Sequence, residues 1–141
     1  MLELIFTLLL FTKTPGENLI NPVLEVSIHD AKSDQGKIRV LVFSSEKGFP
    51  DQPEMAIRSY SFSSKEKSYK FRIEDLPIGN YAVSVIHDED EDGSLTTNLI
   101  GYPTEKFGFS NNPKVYLAPP SFDKAAFELS SETKHLRINL R

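Results

Sequence analysis

The chain has 141 residues, a formal net charge of −4 and no cysteine. That length suffices for one domain with a core of its own and falls short of two ordinary domains. The missing cysteine excludes disulfides, thiolate metal sites and cysteine nucleophiles, and the negative charge argues against nucleic acid as a partner.

The first residues, Met1 to Phe11, are apolar except for Glu3 and Thr7. This run is too short for a membrane-spanning helix, which takes roughly 20 residues, and it has the length of a signal-peptide core. Glu3 stands where a basic flank belongs, and no small-x-small cleavage site follows. Residues 1–16 are read as a signal peptide or N-terminal leader, with a buried strand or helix as the alternative. Lys13 to Asn18 then leads into a single domain over residues 17–141. Export follows from this reading, and no later apolar stretch is long enough to span a membrane.

Short alternating runs follow. Leu24, Val26 and Ile28 share one face, and Glu25, Ser27 and His29 the other. Ile38, Val40 and Val42 repeat the pattern, with Leu41 and Phe43 making the second face apolar too. Tyr69, Phe71 and Ile73 alternate with Lys70, Arg72 and Glu74; Tyr81, Val83 and Val85 alternate with Ala82 and Ser84; Leu136, Ile138 and Leu140 alternate with Arg137, Asn139 and Arg141. Period-two patterning rich in β-branched and aromatic residues predicts half-buried strands. Ser33 to Gly36 reads as a hairpin-like connection, and Leu76 to Asn80 as a second tight turn. A short helical turn is expected over residues 121–129, with Ser121 as its cap. The expected fold is all-β: a single antiparallel sandwich with two long loops, residues 44–64 and 88–120. Loops of that length are usually functional or carry small elements of their own.

The acidity is local. Asp88, Glu89, Asp90, Glu91 and Asp92 supply five of the twenty acidic residues in one stretch. Asp88, Asp90 and Asp92 stand at alternate positions before Gly93, as in the first half of a calcium loop: oxygen ligands at positions one, three and five, then glycine for a sharp turn. Ser94 offers its backbone carbonyl. The second half departs from the pattern. Leu99 stands where a bidentate Glu belongs, Thr96 is a weak ligand, and a strand rather than a helix enters the loop. Asn98 or Glu105 could complete the shell if the chain folds back. The expected ligand is Ca2+, bound by Asp88, Asp90, Asp92, Ser94 and Asn98 with weak affinity, roughly 10⁻⁴ to 10⁻³ M. The alternative is a solvated acidic loop tip.

His87 shares strand parity with Tyr81, Val83 and Val85, so a strand-end histidine bonded to a nearby loop group is the preferred reading over a hydrolytic base working with a loop carboxylate. No Gly-x-Ser-x-Gly and no phosphate-binding glycine loop occurs, and the chain is read as a non-enzyme. Tyr102, Phe107, Phe109 and Tyr116 crowd the second long loop. They either pack it onto the sandwich, which is preferred, or form a ligand surface for a carbohydrate or peptide over residues 101–116, with Tyr102, Phe107 and Phe109 at its centre.

Several ordered motifs carry a resemblance. They are Gly36 to Val40 leading to Phe43, Leu76 to Val83, His87-Asp88 through Asn98, Gly101 to Glu105, Phe107 to Asn112, and Pro119 to Phe122 with Ala125 and Phe127. Over residues 24–141 the chain resembles the bacterial family numbered 2141 among the domains of unknown function. The family has Asn where this chain has Asp90 and Asp92, which preserves oxygen ligands, and Asp where this chain has Thr96. The resemblance implies an exported bacterial protein, periplasmic or secreted, with an immunoglobulin-like or transthyretin-like sandwich. It implies no established activity and no catalytic residues. The sequence thus points to a binding or structural module whose partner is an extracellular glycan or protein.

Overall fold

The computed structural model describes residues 21–141, so the leader assigned to residues 1–16 lies outside the described residues. Eight strands form: β1 (Leu24–His29), β2 (Lys37–Phe43), β3 (Arg58–Ser63), β4 (Tyr69–Ile73), β5 (Gly79–Asp88), β6 (Phe107–Phe109), β7 (Phe127–Leu129) and β8 (Lys134–Asn139). A single 3-10 turn (Pro53–Met55) and one helical turn, α1 (Phe122–Ala125), complete the described elements. One sheet has the order β4-β1-β8 and the other β3-β2-β5-β6, with β7 also paired to β5.

The alternation in the sequence decides which face each strand buries. Leu24, Val26 and Ile28 face Ile38, Val40, Val42, Val83 and Val85 across one shared core, joined by Leu136 and Ile138 from β8. Each fully buried aliphatic side chain of this kind stabilises the fold by about 1.5–3 kcal/mol relative to an exposed one. Tyr60, Phe62, Tyr69 and Phe71 close one side of that core, and Phe62 packs on Phe71 with ring centroids 5.0 Å apart. The second apolar face of β2 has its own cover. Phe43 packs edge-on against Phe49 at 5.4 Å, beside a smaller cluster of Ala82, Phe109 and Ala125 with Phe122 against it.

The structure differs from the sequence reading in four places. First, the sandwich is not wholly antiparallel, because β1 pairs parallel with β8. Second, residues 33–36 do not close a hairpin, since β1 and β2 belong to different sheets. The Leu76–Asn80 turn likewise carries the chain from one sheet to the other, and the Tyr81 hydroxyl holds that corner by donating to the Pro77 carbonyl at 2.6 Å. Turn chemistry is local, whereas the partner a strand finds is not. Third, the helical stretch stops at Ala125, and Phe127–Leu129 is a strand on the edge of β5. Ser121 does occupy the N-cap position, but its side chain makes no cap hydrogen bond. Fourth, each long loop contains a strand. β3 follows the alternation Tyr60/Phe62 against Ser59/Ser61, and β6 has three residues around Gly108.

The remaining long connections run over the outer face of the larger sheet, the face that bears Arg39, Leu41, Ser84, Ile86 and Asp88. Ser84 ties the first of them down by donating to the Pro50 carbonyl at 2.7 Å. Ser110 ties the second, exchanging backbone and side-chain hydrogen bonds with Val83 at 2.9 Å.

Candidate functional site

Parity along β5 separates two neighbours. His87 points into the sandwich and Asp88 points to the outer face, and both are fully buried. The His87 ring is saturated on both nitrogens. Nδ1 accepts the Lys32 N–H at 3.1 Å, and Nε2 donates to the Gln35 carbonyl at 2.8 Å. This network assigns the tautomer protonated at Nε2. The ring fastens the segment between β1 and β2 beneath the acidic loop and presents no free nitrogen.

Gly36 sets how close that segment comes. Its φ is +74°, and a Cβ added there would fall on the Asp88 carbonyl oxygen and the Glu89 backbone. Only glycine satisfies both the left-handed backbone and this approach.

Asp88 is the hub. Oδ2 accepts from Gly93 N–H at 2.9 Å and from the Arg39 guanidinium, which reaches diagonally from β2; Oδ1 accepts from Asp92 N–H at 3.2 Å. Burial pushes the Asp88 carboxyl up, but the hydrogen bonds from Arg39 and Gly93 outweigh it and hold the group below the usual aspartate range. Glu105, also buried, closes the loop from the far side. Oε1 accepts Glu89 N–H and Oε2 accepts Thr96 N–H, each at 2.9 Å. One carboxylate therefore ties the start of the acidic run to Thr96, four residues past its end. At its rim, Lys32 lies 3.0 Å from Glu89 and, as the largest influence, lowers that carboxyl, with the Ser33 hydroxyl assisting.

Of the five residues the sequence nominates for a cation, the structure brings Asp88 and Asp90 together, with Glu105 as the third member. One oxygen from each lies within 4.8 Å of the others. Ca2+–oxygen distances are about 2.3–2.6 Å, so oxygens on opposite sides of one ion stand about 5 Å apart, which this spacing accommodates. Asp92 instead turns its carboxylate onto Ser94 N–H at 2.9 Å. Asn98 spends its side chain on Ile100 N–H at 3.1 Å and Tyr102 N–H at 3.0 Å.

Asp90 is exposed and carries the electrostatic load of the cluster. Loss of solvent contact, then its hydrogen bond to Asp88, raise its carboxyl above the ordinary value, and the Glu105 charge adds to them; the Asp92 N–H and Thr96 hydroxyl offset this only in part. A carboxyl raised in the folded state favours folding most below its unfolded pKa, about 3.9, and loses that contribution as pH rises through the folded pKa. Asp90→Asn is therefore expected to melt above the wild type in EDTA at pH 7, with the gap closing below about pH 4. Thermal unfolding at the two pH values checks it. An equal gap at both would mean the repulsion is absent.

The aromatic residues of the second loop divide. Phe109 is buried in the small outer core and Phe107 is half-buried against it, whereas Tyr102 and Tyr116 are exposed. Between them runs a groove of about 770 Å³. Leu41, Ile86 and Phe107 form its floor, with Pro50, Tyr102 and Tyr116 in its walls, and Glu105 brings the carboxylate cluster to its edge. The volume lies in the range of small-molecule sites, about 300–1,000 Å³. Sequence reasoning named Tyr102 but missed Leu41 and Ile86, because an apolar outer face on β2 and β5 reads as core until the loops above it are placed.

No curated protein and no solved structure matches the chain. A family model does match, over residues 26–137, which takes in every described strand except the first two residues of β1 and the last two of β8. The chain belongs to DUF2141, the family described as uncharacterised proteins conserved in bacteria.

Proposed function

We propose that this chain is an exported, non-enzymatic binding module of the periplasm or the secreted fraction. It takes a glycan or peptide segment in the groove on the outer face of its larger sheet, with Ca2+ held by Asp88, Asp90 and Glu105 to stiffen the groove's edge. The groove itself carries this reading. It is walled by tyrosine, proline and aliphatic side chains and bordered at Glu105 by a carboxylate cluster that braces the acidic loop. Aromatic faces over an apolar floor bind sugar rings and proline-rich or aromatic peptide segments through the same stacking physics. The Tyr81–Pro77 corner supports an immunoglobulin-like version of the sandwich.

Glycan and peptide arrays probed in millimolar Ca2+ and again in EDTA test the proposal. Wild type is expected to bind a restricted set of array members, Tyr102→Ala to lose most of that signal, and EDTA to weaken it. Retained binding in Tyr102→Ala would remove the groove. Equal binding in EDTA would remove the calcium and leave Arg39 as the counter-charge that holds the loop.

A further inference from the structure

The tip of the second loop is built in a way that turn chemistry does not require. Residues 96–104 form a small hairpin. Thr104 N–H donates to the Thr96 carbonyl at 2.9 Å, Asn98 N–H to the Tyr102 carbonyl at 2.8 Å, and Gly101 N–H to the Asn98 carbonyl at 3.0 Å. Gly101 sits at φ +82°, the left-handed position that closes a three-residue hairpin loop. The central positions of such a turn are normally Gly, Pro, Asn, Asp or Ser. Here they are Leu99 and Ile100, exposed to 107% and 89%, and Tyr102 beside them is 61% exposed. The loop across the groove also exposes apolar side chains, Tyr116 at 75% and Leu117 at 101%.

Two further observations bear on what meets these tips. Residues 94–104 and 115–122 contain no charged side chain, in a chain that is 26% charged. The hairpin tip also satisfies most of its own amides, whereas Leu99 N–H and the amides of Tyr116 and Leu117 have no hydrogen-bond partner among the described residues. The amides of Asn98, Ile100, Gly101 and Tyr102 all donate within the turn, two of them to the Asn98 side chain. Pro103, Pro119 and Pro120 carry no amide hydrogen at all. Water would solvate such amides without help; a hydrocarbon phase would not, and there unsatisfied backbone groups are costly. A protein partner would be met by a polar rim with directional hydrogen bonds and charges, and these loops offer few. Leucine and isoleucine at the apex with tyrosines flanking them is the order in which side chains partition across a bilayer interface.

We infer that the two loop tips, Leu99-Ile100 and Tyr116-Leu117, dock the protein on a lipid bilayer by inserting into its interfacial zone. With no basic residue in either segment, binding needs no anionic lipid. Docking stands apart from the groove reading, because a blank ligand array would leave it intact.

The chain has no tryptophan, so Leu99→Trp places a single reporter at one tip, and Ile78→Trp places one on an exposed residue at the far end of β5. The full chain is mixed with uncharged phosphatidylcholine vesicles, plain and brominated in the acyl chains. Emission from Trp at position 99 is expected to shift blue and to be quenched by the bromines, while Trp at position 78 reports no change. Leu117→Trp should behave like Leu99→Trp and keeps the test intact if one variant folds poorly. An unshifted tip reporter overturns the inference. So does an equal shift at position 78, which would mean attachment through another part of the chain. A blue shift that grows with protein concentration without vesicles would assign the tips to a second copy instead, and overturns it as well.

Discussion

Replacing Asp88 with Asn is expected to cost about 2–4 kcal/mol, the range for removing one partner of a buried ion pair with its hydrogen bonds. The substitution keeps the shape and removes the charge. Arg39, which stays 30% exposed, loses its carboxylate, and at most one oxygen remains for Gly93 N–H, Asp92 N–H and the guanidinium. The partial exposure of Arg39 places the expectation below the upper end for fully buried pairs. The pH dependence has a definite sign. Asp88 is held below its ordinary range, so its contribution is present above the unfolded value of about 3.9 and is lost as pH falls through the lower, folded value. Wild type and Asp88→Asn should therefore differ most in EDTA at neutral pH and converge in strong acid. Urea unfolding at pH 7 and in that acid range reads both effects. Adding Arg39→Met to Asp88→Asn should cost little more, because the two side chains act as one unit. Additive losses would show that Asp88 stabilises the loop independently of Arg39.

Gly36→Ala is expected to destabilise by about 2–4 kcal/mol through two separable causes, a left-handed backbone costing roughly 1–2 and overpacking costing roughly 1–3. The obstruction is the Asp88–Glu89 backbone itself, which cannot rotate away as a side chain would. Gly93 supplies the control. Its φ is +86° and an added Cβ there meets nothing within 4 Å, so Gly93→Ala carries the backbone cost alone. The difference between the two melting temperatures measures how tightly the segment before β2 presses on the start of the acidic loop. Equal losses would mean that this contact yields at no cost. His87 predicts the same coupling from the other direction, since its ring joins Lys32 and Gln35 to β5 just beneath that contact.

These couplings mark the boundary of what the sequence determined by itself. The period-two runs around Val26, Val40, Phe71, Val83 and Ile138 settled five of the eight described strands and which face of each is core, because side-chain alternation is a property of the extended backbone. Hydrophobic burial then leaves one register per strand. The acidic run at Asp88 to Asp92 was equally plain, and so was the sharp turn at Gly93, since both rest on neighbouring residues.

Tertiary structure decided what those residues meet. Nothing local in Leu24 to His29 says that β1 lies parallel to β8, more than a hundred residues away. Nothing local in β3 outweighs its serines until Tyr60 and Phe62 reach the aromatic rings of β4. The third carboxylate followed the same rule. Glu105 was one of two candidates for completing the loop, and Asn98 the other. Asn98 is consumed by the turn at its own position, whereas the hairpin at residues 96–104 returns the chain so that Glu105 grips Glu89 and Thr96. Local hydrogen bonds can be read from neighbouring residues. Strand partners, the groove between two loops and a carboxylate brought back across sixteen residues depend on how the whole chain closes, which only the folded molecule specifies.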